Sequence, residues 1–211
     1  MRLIQAISEF LVPGEESAGA KASAERGRRD SSESASPLAR APETVCLRNG
    51  QAAFIRLVER TDGPLLYEQM MSMSEESRRL FCPYPFDRSH AEAIAAEAGS
   101  NRSMRLLALV DSKPAGYAYF TTNNAKRGFP MVGIGVTDEF QGMGLGRSLM
   151  DRLVEAARGR GYRGLELHVF KDNYRAQKLY LSLGFAFNGE ADWGRQYSMR
   201  LSFAEAKPAG Q

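Results

Sequence analysis

The sequence predicts an α/β fold (an α+β mixed sheet), in which a central mixed β-sheet carries helices on both faces. Three observations predict it. From about Thr44, strand-like and helix-like segments follow one another in the order β-α-α-(α)-β-β-β-α-β-α-β-β. Residues 145–158 place Leu145, Leu149, Met150, Leu153, Val154 and Ala157 on one helical stripe that must be buried. A glycine-rich turn joins that helix directly to the strand before it.

Each element has its own signal. Residues 52–57 have strand composition, with Phe54 and Ile55 ahead of Arg56. Asp62-Gly63-Pro64 opens a helix through about Met73, since proline is tolerated in a first turn. Ser74-Glu75-Glu76 starts a short helix bearing Leu80 and Phe81, and Pro83, Tyr84, Pro85 and Phe86 make an irregular bend. Ser89 and Glu92 have capping-box spacing at the head of a helix that ends before Gly99. Residues 104–110 and 115–122 flank the turn Asp111-Ser112-Lys113-Pro114 and read as a hairpin. A strand over 129–136, the helix over 145–158 and a strand over 164–170 follow. A helix over 173–183 is closed by Gly184, and strands near 185–189 and 196–203 complete the domain.

Residues 1–43 stand apart as an N-terminal extension. Residues 14–42 hold almost nothing apolar larger than alanine and cannot offset their backbone entropy, so they read as disordered linker. Residues 2–12 have the pattern of a short amphipathic helix, or of a frayed end. The folded domain is expected over 44–204, with a tail at 205–211. At 211 residues, 43% hydrophobic and 25% charged, the chain has the composition of one soluble domain. A net charge of +3 with interspersed signs gives no nucleic-acid footprint. Cys46 and Cys82 form no metal-ligand pattern, so no metal is expected. No stretch approaches a membrane span, no signal-peptide core is visible, and the reading is cytoplasmic.

The informative turn is Gln141-Gly142-Met143-Gly144-Leu145-Gly146. Amides at a helix start have no intrahelical partners, and glycines let a bulky anion approach them, so a phosphate or pyrophosphate is the natural ligand. The spacing fits neither GxxxxGK[ST], where Arg147 stands in the lysine position, nor GxGxxG, whose third glycine would fall on Arg147. It fits Q-x-x-G-x-G. The segment VGIGVTDEFQGMGLGRSLMDRLVEAARGRG resembles the acyl-CoA-binding core of the GNAT superfamily of N-acetyltransferases. LELHVFKDNYRAQKLYLSLGF is similar to that superfamily's next strand and helix, with Asn173, Ala176, Tyr180, Gly184 and Phe185 matching N-x-x-A-x-x-x-Y-x-x-x-G-F. The resemblance is tight over 129–186 and does not reach the first 43 residues.

The resemblance implies a three-layer GNAT-like fold with a splayed central sheet, and acetyl-CoA as co-substrate. It implies that the CoA pyrophosphate sits on the amides of Gln141, Gly142, Met143, Gly144, Leu145 and Gly146, with Arg147 as an added charge. It also implies that the pantetheine arm pairs with backbone groups of Ile134, Gly135 and Val136, and that a main-chain amide, that of Val136, faces the thioester oxygen. Tyr180, two helical turns after Asn173, is the implied proton donor to the leaving thiolate; periodicity alone favours a core aromatic, and the matched pattern reverses that preference. Asn173 is a helix cap, a cofactor contact or both.

The general base is where the chain departs from a common family pattern, because its fourth strand, PMVGIGV, carries no glutamate. His168 occupies the position five residues before the matched asparagine, where the ribosomal-protein N-terminal acetyltransferase branch has an acidic base. Asp138 and Glu139 are outside candidates, and a structural histidine stays open. Deprotonating a lysine-like amine at neutrality costs about 4.6 kcal/mol, against about 1.4 kcal/mol for an α-amine. The acceptor is expected to be a primary amine of a protein or small molecule, with Tyr67, Phe81, Tyr84, Phe86 and Trp193 in the regions that wall the acceptor cleft in this fold. LRNGQAAFIRLVERTD followed by SEESRRLF is similar to the opening of bacterial acetyltransferases related to protein-lysine acetylating domains. No nucleic-acid partner is expected, and a homodimer stays open. The alternative to an enzyme is a non-catalytic acyl-CoA-binding sensor of the same fold.

Overall fold

The computed structural model describes residues 42–81, 85–122 and 128–203. The expectations for residues 2–12, for nearly all of 14–42, for Pro83 and Tyr84, and for the tail at 205–211 lie outside the described residues. Eight strands form one sheet: β1 (Glu43–Cys46), β2 (Ala52–Leu57), β3 (Ser103–Val110), β4 (Lys113–Thr121), β5 (Met131–Val136), β6 (Gly164–Phe170), β7 (Ala186–Ala191) and β8 (Gln196–Ser202). Five helices accompany them: α1 (Gly63–Met71), α2 (Glu75–Phe81), α3 (Arg88–Ala96), α4 (Leu145–Gly159) and α5 (Tyr174–Ser182).

The strand order is β1-β2-β3-β4-β5-β6-β8-β7, antiparallel throughout except for the β5–β6 pair. Period-two alternation sorts each strand between the faces. Leu106, Ala108, Phe120, Val132, Leu165, Leu167, Val169 and Met199 join the stripe of α4 and the inner side of α5 in one core. The opposite face belongs to α1, α2 and α3, with Leu66, Met70 and Met73 buried alongside Tyr117. The mixed three-layer sheet is thus the one expected.

Two local readings are corrected. No strand was expected at 43–46, yet β1 pairs Glu43 with Ile55 and Cys46 with Ala52 around a turn at Leu47–Gly50. At four residues, with only Val45 partly buried, it is too short for a periodicity signal; the Asn49-Gly50 turn pair was its only mark. The Ser89–Glu92 capping box does not form either. Helix α3 begins at Arg88, and Asp87 caps it by accepting the His90 N–H at 2.8 Å. Ser89 spends its hydroxyl on the same carboxylate at 2.6 Å. Asp87 stands nearer the orphan amides, and aspartate is among the strongest caps.

Ahead of α1, Asp62 is almost fully buried and accepts two bonds from the Arg56 guanidinium, at 2.5 and 2.8 Å, and one from the Glu59 N–H at 2.7 Å. Burial pulls its carboxyl pKa up, but the Arg56 hydrogen bond, the Glu59 amide and the Arg56 charge together hold it below the ordinary carboxylate value.

Candidate active site

The centre of the sheet opens where β5 meets β6. Their only bridge pairs Met131 with Glu166, with the Glu166 N–H on Pro130 O at 3.0 Å. Beyond that point the two strands part. On the other edge of β5, the Thr137 N–H bonds Ala115 O at 3.0 Å. Antiparallel ladders alternate, so Gly135 and Gly133 also turn their backbone groups to β4, whereas Ile134 and Val136 turn theirs into the opening. Of the three strand residues expected to meet a pantetheine arm, Ile134 turns both backbone groups and Val136 its N–H into the opening, the Val136 carbonyl being taken by Gln141, and Gly135 turns neither. Gly135 instead lies beneath α1 and α2: a Cβ there would stand 3.1 Å from the Phe81 ring and 3.3 Å from Met73 Sδ. Its carbonyl accepts from Gln69 Nε2 at 3.3 Å. Gly133 is pressed against Tyr119, and a Cβ would fall 2.4 Å from that ring.

The glycine turn stands at the end of this opening. Gly142 and Gly144 have φ of +77° and +95°, and a Cβ on either would meet nothing within 4 Å. Both conditions favour glycine and leave room for a ligand against the backbone. Among the described residues, none of the amides of residues 142–146 donates to a backbone carbonyl or a side chain. A Cβ on Gly146 would sit 3.5 Å from Leu179 and 3.6 Å from Ile134, so the turn, the opening and α5 meet there. Gln141 ties them together: Nε2 donates to Val136 O at 3.0 Å and Ser77 Oγ at 3.1 Å, and Oε1 accepts from Arg175. Arg147 donates to Ser182 Oγ at 3.2 Å, joining α4 to α5.

Asn173 caps α5, its side chain accepting the Ala176 N–H at 3.1 Å. The cap alternative raised for it is therefore real. Tyr180 is 7% exposed and packs on Phe185 with ring centroids 5.8 Å apart. Burial pushes its phenol well above the ordinary value. Its hydroxyl makes no hydrogen bond among the described residues.

His168 points to the α1–α3 face with Glu166 and Phe170, opposite Ser198 of β8. Its side chain reaches solvent, but the protein around it removes enough hydration to lower its pKa below 6.5, against the raising pull of Glu166 and Asp192. Asp138 is occupied otherwise. It accepts from the Ser74 N–H at 2.7 Å and from the Ser74 and Ser77 hydroxyls at 2.9 and 2.7 Å, so it anchors the start of α2. Burial raises its pKa, and these bonds outweigh that and hold it low. Such a carboxylate is ill suited to receive a proton.

The acetyltransferase (GNAT) family model matches residues 67–185, over half of the chain. The chain belongs to the acetyltransferase (GNAT) family. It is 37% identical over 71 residues to a mycothiol acetyltransferase of Jonesia denitrificans, a match covering 34% of this chain and 23% of that protein. The match therefore spans under a quarter of that relative's length. It is 26% identical over 135 residues to a 5-NmdU N-acetyltransferase of Pseudomonas phage PaMx11, covering 64% of this chain and 91% of that one. The GNAT domain of S. lividans PAT superposes with a TM-score of 0.66 at 21% identity, covering 77% of this chain and 97% of that structure.

In this GNAT-family chain the aromatics expected to wall the acceptor cleft do not form one cluster. Phe81 and Phe86 pair at 6.3 Å beside Gly135, Tyr67 lies beneath Arg88, and Trp193 stands apart at 83% exposure in the β7–β8 turn. Tyr84 is outside the described residues. Asp192 and Trp193 both have left-handed backbones, with φ of +50° and +48°. The sequence reading missed a polar cluster under the sheet: buried Arg105 donates to the Tyr117 hydroxyl at 2.8 Å, pairs with Glu97 and lies 5.7 Å from the Tyr119 ring centre. A single arginine in the apolar run MRLLALV was its one available signal. It also missed Gln69, whose Oε1 is buried with no partner among the described residues. No helix of the described residues is long and apolar enough to cross a membrane.

Proposed function

We propose that this protein transfers an acetyl group from acetyl-CoA directly to a primary amine. The carrying observation is the opening between β5 and β6, bordered by the backbone groups of Ile134 and the N–H of Val136 and ended by unpaired amides at a glycine turn. A long, narrow ligand with a diphosphate at one end fits that shape and polarity. Acetyl-CoA supplies the activated acetyl thioester.

In this reading the amides of residues 142–146 take the diphosphate, and Ile134 pairs with the pantetheine amide groups as a strand edge would. Gln141 leaves the Val136 N–H available by engaging only its carbonyl; that N–H polarises the acyl oxygen. Tyr180, held neutral by burial, donates its proton to the departing sulfur. His168 is the candidate that receives the amine proton; its lowered pKa keeps it neutral at pH 7. The phage relative's name supports an amine acceptor.

Isothermal titration with CoA and thiol release over an amine panel test the proposal: binding with amine-dependent release is expected, and absence of both would overturn it. His168→Ala is expected to lower turnover about a hundredfold if histidine is the base. The wild-type rate should then rise with pH through an inflection below 6.5, because only the deprotonated imidazole works. A wild-type rate with no such inflection removes His168 from the mechanism.

A further inference from the structure

The glycine turn is not held by its own residues. Positive φ at Gly142 and Gly144 makes the segment easy to bend and entropically costly to fix, so amides aimed at one ligand need an outside anchor. Beside the Gln141 bonds, which fix the start of the turn, an anchor for Gly142 and Met143 comes from the β1–β2 turn. The Arg48 N–H donates to Met143 O at 3.0 Å, and Arg48 Nη1 donates to Gly142 O at 3.2 Å. The β1–β2 turn is itself closed by Leu47 N–H on Gln51 O at 2.8 Å, Gly50 N–H on Leu47 O at 2.9 Å and Gln51 N–H on Asn49 Oδ1 at 3.1 Å.

The peptide geometry turns these contacts into an orientation. In a trans peptide the carbonyl of one residue and the N–H of the next point in opposite directions. Holding Gly142 C=O and Met143 C=O towards Arg48 therefore directs the Met143 and Gly144 N–H groups to the far side of the turn. Those are two of the amides that have no partner among the described residues. No carboxylate forms an ion pair with Arg48 among the described residues, so its charge adds to the positive end of α4.

We propose that Arg48 is a positioning residue for the diphosphate of the donor: it sets the peptide planes of Gly142 and Met143 so that their following amides face the anion. The inference rests on the reading of acetyl-CoA as donor. It predicts a loss confined to the phosphate-bearing part of the donor. The guanidinium bond and charge are lost in Arg48→Ala, whereas the backbone bond to Met143 survives every substitution except proline.

The test is isothermal titration of CoA into wild type, Arg48→Ala, Arg48→Gln and Arg48→Lys, with thiol-release kinetics on acetyl-CoA and on S-acetylpantetheine, which has no phosphate. Arg48→Ala should weaken CoA about tenfold, the loss of one charge-assisted hydrogen bond. Arg48→Lys should recover part of that affinity. KM for acetyl-CoA should rise with kcat unchanged, and KM for S-acetylpantetheine should not move. A thermal melt of each variant checks folding; if the alanine variant does not fold, the glutamine and lysine variants carry the comparison. Wild-type CoA binding with unaltered affinity in the variants overturns the role of Arg48 alone, as does an equal loss with both donors. No CoA binding by wild type overturns the donor reading itself, and this role with it.

Discussion

Tyr180→Phe is expected to lower turnover by at least about a hundredfold, the lower end of what a positioned general acid contributes, and to leave CoA affinity unchanged. The substitution removes one oxygen and keeps the ring against Phe185, so stability should change little. The direction follows from the environment of the phenol. Burial raises its pKa, so it stays protonated across the working range and remains a donor rather than a charge beside the thioester. No partner among the described residues competes for the hydroxyl hydrogen. Single-turnover thiol release, compared with CoA titration, separates the proton step from binding. Wild-type turnover in the variant would return Tyr180 to the role of core aromatic that periodicity alone favoured.

Asp62→Ala carries the largest expected loss of stability, about 3 kcal/mol or more, because removing one partner of a buried ion pair strands the other. The Arg56 side chain, 15% exposed beside Asp62, would lose both carboxylate bonds and keep only the one to Leu57 O, and the Glu59 N–H would lose its acceptor. Denaturant unfolding measures it, with Asp62→Asn as the intermediate case that keeps an acceptor and loses the charge. The linkage sign agrees. A carboxylate whose folded pKa is lowered contributes stability above its unfolded value of about 4 and loses it as pH falls below that. The Asp62→Ala protein should therefore show a flatter acid limb than wild type.

The parts of the site that could be read from the sequence are those whose signal is local. Gln141 to Gly146 announce a glycine turn at a helix start within six residues, and Asn173 with Tyr180 lie on one helix, so spacing alone relates them. The contacts that complete the site are not local. Arg48 reaches Gly142 across 94 positions and Gln69 reaches Gly135 across 66. No periodicity encodes such meetings, because they depend on which strands become neighbours. Asp138 shows the same limit from another side. Its sequence position beside the turn made it a candidate base, and only the fold shows its oxygens filled by Ser74 and Ser77. Asp87 took the cap expected of Ser89 because two good capping residues stood two apart, and composition could not rank them.

The single bridge between β5 and β6 has a mechanical consequence. Strands β1 to β5 form one antiparallel ribbon and β6, β8 and β7 another, joined edge to edge at Met131 and Glu166 and otherwise through packing on α4 and α5. A ligand laid in the gap then serves as the missing rung between two half-sheets. Amide hydrogen exchange should report this directly. The N–H groups of Ile134 and Val136 should exchange fast in the free protein relative to those of Gly133 and Gly135, which bond to β4, and slow markedly when CoA is added. Equal exchange at all four amides, with and without CoA, would mean the two ribbons are already closed against each other.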